Sequence, residues 1–446
     1  SRQSMEMKSA QNADLFTTVS DITAQECVQF LQRQPDYITI NGINSNFKDQ
    51  YDKQHVDKRN SSRDKIFEIL DTLSGQNIPR DSMLLINSGR YEFHNKGTDL
   101  YIKMLAKLNH DERLKRNIVA VIAVPGNIAG PSRTLVHRLD KTEEINGHTE
   151  YPTTHYIHDY QYDAVLNSLR ESGLQNDEGD RVKVMFVPAY LNGNDGVFNI
   201  KYSDFLYAFD LSVFPSYYEP WGYTPLESIA HGIPTITMDV SGFGRYIQNQ
   251  KQDGKSVTVI HREEGNEDSV VNEMMDVVLK MAANNEQECA EISADAVNIA
   301  TSLTWKELIA NYMNTYDKAV ELLSGRDYMK QSRHYSELLK DFDYKKQDKP
   351  TWKKILIESV YSEQMKKLQE LSNNLWWCWN VDAIELFESI DPIAFERLEQ
   401  NPVALMKSLT KSQMKDLEQD EKFIARLNKV YNRFKKYMSV TPADDN

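Results

Sequence analysis

Seven short apolar runs recur between about Asp36 and Ile260: "DYITI", "MLLINSG", "IVAVIAVP", "VKVMFVPA", "LSVFPS", "PTITMD" and "SVTVI". Helix-like segments such as "GTDLYIKMLAKLNH" and "YDAVLNSLRESG" lie between several of them. Strands apolar on both sides have to be covered on both faces. Alternation with amphipathic helices achieves this as a parallel sheet wrapped by helices. The expected fold class is therefore α/β, with a doubly wound parallel sheet. In such sheets ligands sit beyond the carboxyl ends of the strands, in the loops that enter the helices. Chemistry is to be sought there.

One such loop, "FPSYYEPWGYTPLES" (214–228), follows the run "DLSVF" and leads into "LESIAHG", a short helix closed by glycine. Thr224-Pro225-Leu226-Glu227 is expected to form a capping box with proline at the first helical position. Gly222, Tyr223 and Thr224 then present backbone N–H groups at a helix N-terminus, where anions bind. Glu219, held by Pro220, would sit beside whatever the anion carries. A second loop, "SGRYEFHNKGTDLY", also joins a strand to a helix, and its Arg90 and Lys96 suit phosphate as a bidentate fork and a point charge.

Other signals carry less. His155, His158 and Asp159 in "HYIHD" resemble a metal cluster, but no further ligands or metalloprotease spacing accompany them, and no metal is expected. "DFD" (Asp341–Asp343) lies in a charged stretch that fits a solvated surface. "SGFGRY" (241–246) lacks the second half of a dinucleotide fingerprint. The tryptophans of "NNLWWCWN" read as core rather than a sugar platform. A net charge of -14 leaves no basic surplus for a general nucleic-acid binder. No apolar run approaches the roughly 20 residues of a membrane span. Cys27, Cys289 and Cys378 are far apart and unpaired in pattern, which points to a reducing, cytoplasmic compartment.

The loop motif "FPSYYEPWGYTPLES…SGFG" resembles the donor site of glycosyltransferase family 3, the glycogen synthases of animals and fungi. "ADLFTTVSDIT", "PDYITINGIN", "GRYEFHNKGTDLY", "YPTTHYIHD" and "DRVKVMFVPAYL" resemble the same family in the same order, so the likeness runs from residue 1 to about 325. The resemblance implies a GT-B architecture of two Rossmann-like domains. It also implies retaining transfer of glucose from UDP-glucose to the non-reducing end of an α-1,4-glucan such as glycogen, with no cofactor or metal. By position, Glu219 matches the catalytic glutamate and Glu227 the glutamate of the donor ribose. Gly222, Tyr223 and Thr224 match the pyrophosphate segment, Arg90 and Lys96 its basic pair, and Tyr202 a tyrosine that stacks on uracil. Rival readings are a non-catalytic glucan-binding scaffold and a GT-B enzyme using ADP-glucose.

The family's glycine-rich donor loop has no counterpart here, so the chain is expected to be a fragment lacking most of the N-terminal Rossmann domain. "NNEQECAEISADAVNIATSLTW" has no basic residue before Lys306, where eukaryotic members carry an arginine-rich sensor helix, so activation by glucose 6-phosphate is not expected. The stretch between Pro125 and Tyr151 is shorter than the family's oligomerising insert, which argues against a family-type tetramer and leaves a homo-oligomer open. After about 351 the sequence resembles the N-terminal helical domain of bacterial α-glucan phosphorylases. The expected division is 1–60, the end of the N-terminal domain and crossover; 61–302, the donor-nucleotide domain; 303–325, a helix returning towards the N-terminal domain; 326–350, a linker; and 351–446, the phosphorylase-like helical segment.

Overall fold

The structure is a computed structural model that describes residues 2–141 and 152–324. The linker, the "DFD" triplet, Cys378 and the tryptophan cluster lie outside the described residues. Six parallel strands form the main sheet: β1 (Met83–Ser88), β2 (Ile118–Ala123), β3 (Val182–Phe186), β4 (Leu211–Val213), β5 (Thr235–Met238) and β6 (Val257–Ile260). Their order is β6-β5-β4-β1-β2-β3. The chain winds outward from β1 to β3, then returns beside β1 and winds the other way. This bears out the doubly wound α/β class. One run departs from expectation: "DYITI" contributes only Tyr37–Ile38, paired with Thr17–Thr18 outside the main sheet.

Twelve helices are described: α1 (Arg2–Asn12), α2 (Asp21–Leu31), α3 (Phe47–Ser74), α4 (Thr98–Asn109), α5 (Arg133–Leu139), α6 (Ala164–Glu171), α7 (Tyr202–Leu206), α8 (Tyr223–Ala230), α9 (Gly242–Asn249), α10 (Glu267–Ala283), α11 (Glu286–Ser302) and α12 (Trp305–Ser324). Strand alternation explains how they pack. Leu85, Ala120 and Val184 face a core with Tyr101 and Leu105 of α4 and Val278 of α10. Leu84, Val121 and Met185 face a second core with Phe67 and Leu70 of α3 and Phe205 of α7. A third core gathers α8, α9 and α11 around Leu226, Phe243 and Ala300.

At the amino edge of the sheet α3 is held by charge. Asp210, just before β4, pairs with Arg59 and with Arg63 at 3.0 Å, and accepts the Leu84 N–H at 2.7 Å. The same guanidinium groups donate to the carbonyls of Phe209 at 3.0 Å and Ala208 at 2.9 Å. Helix and strand ends are thereby locked together on the side away from the loops of interest.

Candidate active site

The reversal of winding sets β1 and β4 side by side with their exit loops running to opposite faces. This is the topological switch point, where an open α/β sheet leaves a crevice. The two loops singled out in the sequence are the ones that flank it. Each enters its helix through a glycine with positive φ and without a side-chain cap: Gly97 at φ 67 for α4 and Gly222 at φ 112 for α8. Helix α9, which leaves the neighbouring β5, is instead capped by its own Ser241, which accepts the Gly244 N–H at 2.9 Å.

The expected capping box is not formed. α8 starts at Tyr223, which puts Pro225 at the third helical position and Glu227 at the fifth, too far along to reach the cap. The positive φ of Gly222 lets the chain enter the helix before Thr224, a conformation costly for other residues. The start of α8 therefore stays uncapped by any side chain.

Lys96 and Glu219, from the two loops, meet as an ion pair with side chains 14% and 18% exposed. Glu219 is braced from below. Its N–H donates to the Val240 carbonyl at 3.3 Å, and its own carbonyl accepts from Gly242 at 3.0 Å. The "SGFG" segment is thus the strap under Glu219, and a Cβ on Gly242 would lie 2.3 Å from the Pro220 carbonyl oxygen. Arg90 is elsewhere: it is 74% exposed and pairs with Glu92 at 2.9 Å. The structure brings Lys96 to Glu219 and leaves Arg90 outside that pair. Trp221, between Glu219 and the start of α8, is buried against Phe243 and Tyr246.

Tyr202, at the start of α7, shares a 2.7 Å hydrogen bond with Ser88 at the end of β1. Burial, with the nearby Glu227 carboxylate, raises its phenol above the ordinary range. Burial likewise raises the Glu227 carboxyl. The residues expected for the nucleoside, Tyr202 and Glu227, are therefore near each other, and Tyr202 is held by Ser88, which the sequence reading had passed over. It also missed Glu26 of α2, which accepts the Tyr218 hydroxyl at 2.5 Å, one residue from Glu219. No local signal links residues so far apart in sequence.

His155 is not poised for metal. Its imidazole is buried, with one nitrogen 2.9 Å from Thr154 and the other 2.9 Å from the Asp195 carbonyl, and burial lowers its pKa. Among the described residues no group of three or more His, Cys, Asp or Glu could hold a metal ion. Among them also, no helix is long and apolar enough to cross a membrane.

The α4 start allows a direct test. A Cβ at Gly97 would lie 1.9 Å from the Pro215 carbonyl oxygen. Gly97→Ala is expected to cost about 2–4 kcal/mol from left-handed strain plus overpacking, and to push the two loops apart. Urea unfolding and nucleotide titration would register both effects.

A sequence model of the family described as glycogen synthase matches residues 1–141 and 145–361. The chain belongs to the glycogen synthase family. Glycogen [starch] synthase isoform 1 of Saccharomyces cerevisiae is 30% identical over 397 residues, covering 74% of this chain and 55% of that protein. The glycogen [starch] synthase of Caenorhabditis elegans is 30% identical over 379 residues, covering 72% and 56%. The chain thus spans about half the length of these glycogen synthase relatives. Among solved structures, the sucrose-phosphate synthase of Thermosynechococcus elongatus aligns with a TM-score of 0.42 at 15% identity, covering 72% of this chain and 62% of that one. Residues 361–444 match a second family, described as a protein of unknown function (DUF3417).

Proposed function

We propose that this chain carries the donor half of a GT-B glucosyltransferase that moves glucose, with retention, from UDP-glucose to the non-reducing end of an α-1,4-glucan such as glycogen. The observation that carries this reading is the Lys96–Glu219 pair at the switch point, in a chain of the glycogen synthase family. The donor pyrophosphate would lie at the uncapped start of α8, with its nucleoside towards Tyr202 and Glu227. Its negative charge competes with Glu219 for Lys96. Once Lys96 turns to phosphate, the Glu219 carboxylate is free to face the sugar.

Breaking the glycosyl–phosphate bond puts negative charge on the departing UDP and positive charge on the sugar. Lys96, Arg90 swung in from solvent, and the α8 backbone stabilise the first, and Glu219 the second. Glu219 is assigned an electrostatic role rather than that of a covalent nucleophile, because among the described residues its charged partner is Lys96 and not a second carboxyl group. Among the described residues Cys27 and Cys289 are free, which supports a reducing cytoplasmic setting. We further propose that residues 351–446 are the leading helical domain of an α-glucan phosphorylase. Their match to a separate family is consistent with a fusion.

Calorimetry with UDP, UDP-glucose and ADP-glucose tests the site. Lys96→Met is expected to weaken UDP by about thirtyfold, as a lost charge-assisted bond of roughly 2 kcal/mol, with a smaller loss for Arg90→Ala. Absence of UDP binding, or affinity indifferent to both changes, would sink the assignment. Preference for ADP-glucose would redirect it to the other donor.

A further inference from the structure

Arg262 follows β6, two strands away from β4, yet its guanidinium lies across the crevice wall. Its side chain is 3% exposed, and its central carbon stands 3.6 Å from the centre of the Tyr217 ring. Tyr217 belongs to the loop carrying Glu219, two residues upstream. The same ring has His94, from the loop carrying Lys96, at 3.9 Å between ring centres. Asp99 at the start of α4 closes the group. It is 2.7 Å from His94 Nδ1 and accepts a long 3.4 Å contact from the Tyr217 hydroxyl. The Tyr217 N–H donates to the Asn95 carbonyl at 2.9 Å, next to Lys96.

Arg262 has little else to do. Its ion pair with Glu267 is 3.4 Å long, and Nη1 is buried without a hydrogen-bond partner. Such a nitrogen costs stability wherever it is left dry. The compensation is a planar cation against an aromatic ring, which an ammonium or an aliphatic chain does not reproduce. The Arg262 backbone is fixed as well, since its N–H donates to Asp239 at 2.9 Å. We infer that Arg262 is a positioning residue for the donor site: by clamping Tyr217 against His94 it sets the register between the Lys96 loop and the Glu219 loop. The inference rests on the donor-site reading above. Arg262 itself touches neither reacting group.

The test is UDP titration of the chain, with thermal unfolding of every variant. Arg262→Met is expected to weaken UDP about tenfold, and Arg262→Lys to do no better, because the stack and not the charge is at stake. Combined with Lys96→Met, Arg262→Met should add little further loss, since both act through the same lysine. His94→Ala, at a residue 69% exposed, removes the other neighbour of Tyr217 without opening the core and should weaken UDP severalfold at unchanged melting temperature. Full rescue by Arg262→Lys, additive losses in the double variant, or unchanged affinity in His94→Ala would each overturn the inference. If Lys96→Met weakens UDP and the Arg262 variants do not, the clamp alone falls. If the unsubstituted chain binds no UDP, the donor-site reading falls and takes the clamp with it.

Discussion

Glu219→Gln is expected to reduce glucosyl transfer from UDP-glucose to glycogen by about a thousandfold, the upper range for removing one preorganised electrostatic group. Glutamine keeps the size and hydrogen bonds of the side chain and loses only its charge. Because the Glu219 backbone is held by Val240 and Gly242, the loop should stay in place, with melting temperature little changed. Nucleotide affinity should hold or rise, since Lys96 no longer has an ionic partner to give up when phosphate arrives. Turnover and UDP affinity measured side by side separate the two effects. Residual transfer near the unsubstituted rate would remove Glu219 from the chemistry. A parallel fall in UDP affinity would mean that Glu219 holds donor rather than acting on it.

Asp210→Ala is expected to cost about 3–5 kcal/mol of stability, the usual result of breaking a buried pair from one side. Its carboxylate is only 15% exposed and answers both Arg59 and Arg63. Removing it leaves two guanidinium groups facing each other with only carbonyls for company. Burial alone would push the Asp210 carboxyl up, but the Arg63 and Arg59 charges and the Leu84 N–H outweigh it and hold its pKa below the ordinary value. A depressed pKa means that the folded state prefers the ionised form. The stabilisation is therefore fully present above the unfolded carboxyl value, near 4, and is lost as pH falls through the lower, folded value. Urea midpoints should converge between the two proteins as pH drops into that range. A constant difference down to strong acid would show that Asp210 acts through packing rather than charge.

Much of this was legible in the sequence because it rests on short-range rules. Apolar runs separated by amphipathic helices announce a two-sided sheet, and alternate residues of β1 do go to separate cores. The loops at strand ends were identifiable for the same reason, and with them Lys96, Gly222 and Glu219. Errors arose where local rules compete. Thr224 and Glu227 have capping-box spacing, but Gly222 opens a conformation that starts the helix sooner. Arg90 and Lys96 look like equals in one loop, yet only Lys96 is turned to Glu219.

By itself, then, the sequence determined the fold class and the loops at the strand ends, because hydrophobic periodicity and turn chemistry act over a few residues, while the family was carried by the likeness of its motifs. The tertiary structure alone decided which side chains share a crevice. Strand order puts β1 beside β4, which no local pattern encodes, and so joins Lys96 to a carboxylate 123 residues away. The same packing carries Arg262 onto Tyr217 and Glu26 onto Tyr218. Charges and rings interact through space, with strengths set by distance and burial, and those are properties of the folded chain.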